Sequence, residues 1–312
     1  MSGTTTNLSG ARIGDNLGLG MALTVLAILI FGVQDAVSKI LVQDYSPFQV
    51  VMLRYWAFAI FSLFLALRQG PLRQALKSRF PLLQTLRGML LIADIWMFGT
   101  AVRTVPLAEL QAISLVYPLI VTIIAVPILG ERVGLFRIGA VLVGFAGALV
   151  ILRPGGLPID AGVLFALGSA AAYAVYIVLT RRVALFDSTS TSMLFAGLVG
   201  FVLSTAIGVF FWKPMTPGAM GLMAVLMVTM ILAHGMMMKA LSLAPASLLQ
   251  PFNYLALPWG ITLSFLAFGH LIDPISLVGA GIIAVAGLVV MARERRRAVH
   301  PIGAVQVPGP HE

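Results

Sequence analysis

Residues Pro106–Glu131 read PLAELQAISLVYPLIVTIIAVPILGE. The run is long enough to cross a bilayer, yet it carries Gln111, Ser114, Tyr117, Pro118 and Pro127 in an apolar background. Hydrocarbon satisfies no polar group, so such residues must face other protein or a water-filled cavity. The run recurs 139 residues later as Pro245–His270, PASLLQPFNYLALPWGITLSFLAFGH. Pro106 falls on Pro245, Gln111 on Gln250, Gly130 on Gly269 and, just upstream, Ala101 on Ala240. Two such helices, one per half, are what a transporter built from repeats places at its centre.

The rest of the chain has the same character. Hydrophobic residues make up 60% and charged residues 10%, with a mean hydropathy of +1.02. Soluble domains carry about 25% charged residues, so the composition is that of a multi-spanning membrane protein. The absence of cysteine excludes a disulfide framework, a cysteine-ligated metal and a thiol nucleophile. The net charge of +9 does not point to nucleic acid, because the basic residues lie between apolar segments and bear on orientation instead. Residues 1–17 are polar and the first apolar run exceeds a signal-peptide core, so it is expected to be a retained first span.

Apolar runs of about 20 residues fall at 18–41, 48–68, 83–103, 106–128, 133–152, 160–182, 191–212, 219–241, 245–267 and 275–292. The expected fold is therefore all-α, with ten transmembrane helices. With a cytoplasmic N-terminus, fifteen Lys and Arg residues lie inside, and only Lys39, Arg103, Arg153 and Lys213 lie outside. Both termini are thus expected in the cytoplasm, and Arg54 alone lies within a span. Five spans per half is an odd number, so the second half enters the membrane from the opposite side. Further matches agree with a duplication: Gly139, Ala140 and Gly147 with Gly279, Ala280 and Gly287, and Gly20, Phe31 and Lys39 with Gly162, Tyr173 and Arg181. The expected organisation is a cytoplasmic segment 1–17, repeats 18–152 and 160–292 in inverted orientation around a central cavity, and a basic, disordered cytoplasmic tail 293–312. Gly139, Gly144, Gly147, Gly279 and Gly287 are expected to be close-packing positions on the fifth and tenth spans.

Buried charge supplies the first candidates for chemistry. Asp35 and Arg54 each stand six residues from the outer end of their spans, about 9 Å deep at 1.5 Å per residue, and are expected to pair. Such a pair fixes helix packing, or it gates. Asp94 lies deeper, with no partner assigned; as a binding group it would meet one charge of a zwitterion. Glu109 is near the outer end of the fourth span. The repeat counterparts of these residues are apolar, so the charge belongs to one half. Lys39 and Arg181 match across the repeat and are expected to snorkel to headgroups, while Glu131 caps or braces the inner turn.

Other candidates are amide, aromatic and thioether side chains. Gln111 and Gln250 recur at one place in both halves and, with Ser114, are expected to line a cavity. Trp96, Tyr117, Tyr173, Tyr176, Asn253 and Tyr254 lie near the midplane, where an aromatic packs or lines a cavity, whereas Trp212 is an interfacial anchor. Met220, Met223, Met227 and Met230 form one stripe of the eighth span, continued by His234. That stripe is either helix packing or, through Met227 and Met230, an adaptable apolar lining. His234 is either a hydrogen-bonded structural residue or a protonatable one. Neither a cofactor nor a metal site is expected.

These residues resemble the EamA type of the drug/metabolite transporter superfamily. The resemblance rests on Phe31-Gly32, Lys39, Pro47 and Arg54 in the first two spans, then Pro118, Gly130-Glu131 and the run Gly139 through Gly147, and it covers the whole chain. Phe31 stands where the family commonly has tryptophan, and His270 where a second glutamate is usual. Within the superfamily the chain is most similar to bacterial amino-acid and metabolite exporters, including the YddG-type exporters of aromatic amino acids. The resemblance implies a cavity lined by the third, fourth, eighth and ninth spans, with the first and sixth contributing. It also implies a monomeric inner-membrane protein, in contact with lipid and a small-molecule substrate, that exports amino acids with large apolar or aromatic side chains. Cationic drugs are the alternative substrates, and nucleotide-sugars fit less well with one cation inside a span. A lipid-modifying membrane enzyme is the alternative from another class, but the loops are too short for an active site.

Overall fold

The structure, a computed structural model, describes residues 14–129, 135–151, 160–244 and 249–298, and these are all-helical. Glu131, Pro245 and the tail beyond Ala298 lie outside the described residues. The helices are α1 (Gly14–Asp44), α2 (Pro47–Gln69), α3 (Leu72–Ala75), α4 (Pro81–Thr104), α5 (Leu107–Ser114), α6 (Tyr117–Leu129), α7 (Leu135–Ile151), α8 (Ala161–Ala184), α9 (Thr189–Gly208) and α10 (Pro217–Leu243). A 3₁₀ segment, Gln250–Leu255, then leads into α11 (Ala256–Phe268), and α12 (Pro274–Ala298) ends the described chain.

Six helices among the described residues are long and apolar enough to cross a membrane: α1, α2, α4, α8, α9 with its 3₁₀ extension to Phe211, and α10. The other expected spans correspond to shorter apolar stretches within 107–121, 142–151, 252–268 and 274–289. Helix starts follow from local chemistry, because the first N–H groups of a helix need an acceptor. Ser46, Asp160, Ser188 and Thr216 each accept a bond from a backbone N–H two or three residues on, and Pro47 and Pro217 occupy the first helical position. Helix α11 stops at Gly269, whose φ of 66° is left-handed, so glycine fits there without a Cβ clash.

The run quoted first is not one helix. It breaks at Leu115–Val116 into α5 and α6. Pro118 is the cause: it has no N–H for the carbonyl of Ser114, and its ring crowds that carbonyl. The backbone tightens there, Val116 N–H bonding to Ile113 O (3.1 Å) and Leu119 N–H to Val116 O (3.1 Å). The corresponding stretch of the second half is the 3₁₀ segment Gln250–Leu255, with Pro251 inside it.

Extensive packing joins α1 to α10, α4 to α8, α2 to α9 and α7 to α12; α6 lies on α8, and α11 on α1 and α5. The α7–α12 contact is made by glycine. A Cβ on Gly147 would sit 2.7 Å from Gly279 O, and one on Gly279 would sit 2.6 Å from Gly147 O. Gly144 accommodates Leu119, and Gly287 accommodates the Tyr254 hydroxyl. Gly139 departs from expectation, being exposed with nothing within 4 Å of its missing Cβ.

Arg87, counted with the inner-face cations from the sequence, is instead within α4 and fully buried. Its Nη2 donates to Gln84 Oε1 (2.9 Å) and to Ser192 O, Nη1 approaches the Thr180 hydroxyl (3.4 Å), and the guanidinium lies 5.5 Å from the Tyr176 ring. A buried arginine so fully bonded ties α4 to α8 and α9. Each of its three nitrogens is engaged within the protein.

Replacing Gly279 by leucine is expected to destabilise the protein by about 1–3 kcal/mol through overpacking, read as a lowered melting temperature in detergent. Gly139→Ala is expected to leave that temperature unchanged.

Candidate functional site

Two aromatic pairs frame a cavity between the helices. Phe31 of α1 meets His234 of α10 edge to face, with ring centroids 4.9 Å apart, and Tyr117 of α6 meets Tyr173 of α8 in the same manner at 5.0 Å. The space they frame is about 830 Å³, the open solvent at its mouth included. The polar lining comes from Gln34, Asp35, Arg54, Asp94, Gln111, Ser114, Ser169, His234 and Asn253.

Each carboxylate has one neutral partner. Gln111 Nε2 donates to Asp35 Oδ2 (2.8 Å), and the Ser169 hydroxyl donates to Asp94 Oδ1 (2.5 Å). Gly260 of α11 lets Gln111 take this position, since a Cβ there would stand 2.5 Å from Gln111 Cγ. The expected contact between Asp35 and Arg54 is not made. Arg54 is 4% exposed and feels both carboxylates electrostatically, yet its Nε and Nη2 are buried with no hydrogen-bond partner. The Gln34 carbonyl oxygen, in a residue 5% exposed, is likewise unpartnered.

The structure therefore brings Asp35, Arg54, Asp94, Gln111, Ser114, Tyr117, Tyr173, His234 and Asn253 to one cavity. Other candidates lie elsewhere. Trp96 packs against Phe48 at 5.6 Å, and Tyr176 is stacked behind Tyr173 and under Arg87. Met230 is fully buried and Met227 is partly buried, both in apolar clusters outside the lining, and Tyr254 fits against Gly287. From the methionine-rich helix it is Met237, one turn beyond His234, that reaches the cavity. The Gln250 side chain lies outside the described residues. Sequence reasoning missed Gln34 and Ser169. Gln34 carried a signal, a second polar residue beside Asp35 in an apolar helix; Ser169 carried almost none, being small and flanked by Gly168 and Ala170. The first span supplies more of the lining than the family resemblance implies, and the second span enters it through Arg54.

Lys39 and Arg181, expected to snorkel, instead cap helices. Lys39 Nζ donates to Val102 O (2.8 Å) and Val105 O (2.9 Å) at the end of α4, and Arg181 Nη1 donates to Leu241 O (2.8 Å) at the end of α10. A cation there satisfies free carbonyls and the negative end of the helix dipole. Beside Lys39, the carboxylate of buried Glu109 takes His270 Nε2 at 3.0 Å, which joins α5 to the turn after α11.

Apolar helices of membrane-crossing length around a small polar cavity define a multi-pass membrane transporter of small molecules. Residues 18–153 match the EamA-like transporter family. That match covers the first of the two halves, and the relatives that align with nearly the whole chain are transporters rather than enzymes. It is similar to the S-adenosylmethionine uptake transporter of Rickettsia prowazekii, 24% identical over 89% of this chain and 94% of that one. It is also similar to riboflavin transporters of Vibrio cholerae (28% identical, 83% of this chain and 88% of that one) and Rhizobium johnstonii (27%, 91% and 94%). A solved crystal structure shares the fold, with a TM-score of 0.66 at 19% identity over 91% of this chain and 98% of that one.

Substitution of Lys39 or Arg181 by methionine is expected to lower stability by up to about 2 kcal/mol each, the scale of a partly buried cation at a helix C-terminus. Melting in detergent checks this, and Lys39→Arg is expected to restore most of the loss.

Proposed function

We propose that this chain takes up a small zwitterionic metabolite of aminoacyl type, carrying a flat or apolar body, across a bacterial inner membrane. Arg54 carries the reading: a buried guanidinium with two unbonded nitrogens, facing two buried carboxylates across one cavity. A ligand carboxylate supplies the missing acceptor in the bidentate geometry that arginine favours. A ligand cation is drawn to Asp35 and Asp94, and the aromatic pairs hold the body of the molecule. S-adenosylmethionine, with its carboxylate, ammonium, sulfonium and adenine, fits all three demands. Aromatic amino acids share the head. Riboflavin has no such head and leaves Arg54 unpaired; a cationic drug lacks the carboxylate. A nucleotide-sugar brings phosphates to a lining whose cation, among the described residues, is Arg54. Uptake, in the names of the rickettsial relatives, replaces the export expected from the sequence.

The topology we propose is ten spans in two inverted repeats, 18–152 and 160–292, with segments 1–17 and 293–312 in the cytoplasm and the monomer as working unit. Three observations support it. Exchanging each helix for its counterpart in the other half turns the α1–α10 contact into the α8–α4 contact, and returns α2–α9 and α7–α12 to themselves. The break at Leu115–Val116 recurs in Gln250–Leu255. Lys39 and Arg181 cap Val102 and Leu241, which are 139 residues apart like the two proline-led runs. Rocking of such repeats exposes a midplane cavity to either side in turn.

The test is flux of labelled S-adenosylmethionine, tryptophan and riboflavin into proteoliposomes containing the full chain. Saturable flux of the first, lowered about 10- to 100-fold by Arg54→Gln or Asp94→Asn in protein of unchanged melting temperature, is expected from the loss of a charge-assisted bond. Riboflavin flux that Arg54→Gln leaves intact, without flux of either zwitterion, would overturn the reading.

A further inference from the structure

We infer that Gln34 reads the hydrogen-bonding edge of a nitrogen heterocycle, which narrows the cargo to zwitterions that carry such a ring. The inference rests on the zwitterion reading of the same cavity and adds the identity of the body to that of the head.

Gln34 is a polar residue of the lining that the head leaves unexplained. Its side chain is buried in α1, lines the cavity, and has no partner for Oε1. Arg54 in the same lining has unbonded N–H donors, so an acceptor and its natural donors stand apart. Both belong to one lining and both lack a partner, and the group that would complete each has a different chemistry.

An arginine fork matches a carboxylate, whereas a primary amide presents an acceptor and donors side by side. The complement of an amide is an adjacent donor and acceptor on one planar edge, as glutamine finds on adenine. Phenyl and alkyl bodies have no such edge and would leave the buried amide oxygen unsatisfied. A site built to bond a polar group discriminates strongly against an analogue lacking it. The surroundings suit a flat ring. Phe31 is one helical turn before Gln34 on the same face of α1, and it meets His234 across the cavity at 4.9 Å.

The experiment is calorimetric binding to the full chain in detergent, with three probes. S-methylmethionine has the zwitterionic sulfonium head and no ring. S-adenosylmethionine has head and ring. Its N6,N6-dimethyladenine analogue keeps both but loses the ring's N–H donor. The expected order is S-adenosylmethionine tighter than S-methylmethionine by more than about 10-fold, with the dimethyl analogue about 10-fold weaker than S-adenosylmethionine, the scale of one bidentate amide–base pair. Gln34→Leu is expected to cut the ratio between S-adenosylmethionine and S-methylmethionine about 10-fold, leaving what the aromatic rings contribute. A dimethyl analogue that binds as tightly as S-adenosylmethionine overturns the inference without any mutation, as does a Gln34→Leu variant that keeps the ratio. The reading of the head fails separately: it falls if Arg54→Gln leaves S-methylmethionine binding as it was.

Discussion

Hydrocarbon offers no hydrogen bonds, and the placement of each buried polar group in this protein answers to that constraint. Arg87, deep between α4, α8 and α9, is bonded to Gln84, Thr180 and a backbone carbonyl. Lys39 and Arg181 close the carbonyl ends of α4 and α10, and Glu109 takes His270. These side chains are finished within the protein, and what they stabilise is the packing of the helices they join. Arg54 and Gln34 differ from them in one respect that matters: they line a cavity and remain open. Tyr55, Trp96, Tyr176 and Ser264 also carry an unpartnered polar atom, but away from the cavity; it is missing bonds and place in the lining together that set Arg54 and Gln34 apart.

The frame and its contents obey different symmetries. Helix pairings, the two proline-associated breaks and the two cationic caps repeat between halves. Phe31 and Tyr173, counterparts in the repeat, each supply one ring of an aromatic pair. The charges do not repeat: Asp35, Arg54 and Asp94 all come from the first half, opposed by Ser169, Tyr173, His234 and Asn253 from the second. A moving frame gains from symmetry, because its two end states are then built from equivalent contacts. A zwitterion with distinct ends is held by a site that distinguishes them.

What the sequence revealed follows the same division. The all-helical class and the six long apolar helices depend on hydropathy and spacing, which are properties of the chain itself. The face on which a residue lies is another matter. In a soluble helix the apolar stripe marks the inward face; here lipid and core are both apolar, so the stripe of Met220, Met223, Met227 and Met230 said nothing about direction. Met220 is exposed, Met230 is fully buried, and Met237 reaches the cavity. Tyr176 and Tyr254 were drawn away by partners distant in sequence, Arg87 and Gly287. The Asp35–Arg54 contact, inferred from equal depth, required a rotation about each helix that depth does not specify.

The unfilled bonds also bear on the energetics of recognition. A buried unsatisfied donor or acceptor costs about 1–3 kcal/mol, more when charged, and Arg54 and Gln34 carry such groups in the cavity lining. On the proposed reading, a ligand that completes both bonds relieves that cost. The groups proposed to select the cargo are then also those that gain most from its presence. Carboxylates already held by Gln111 and Ser169 contribute less to that gain, because their bonds exist before the ligand arrives. By this argument the free energy of the proposed recognition is concentrated at Arg54 and Gln34 rather than at the more numerous acidic and aromatic neighbours.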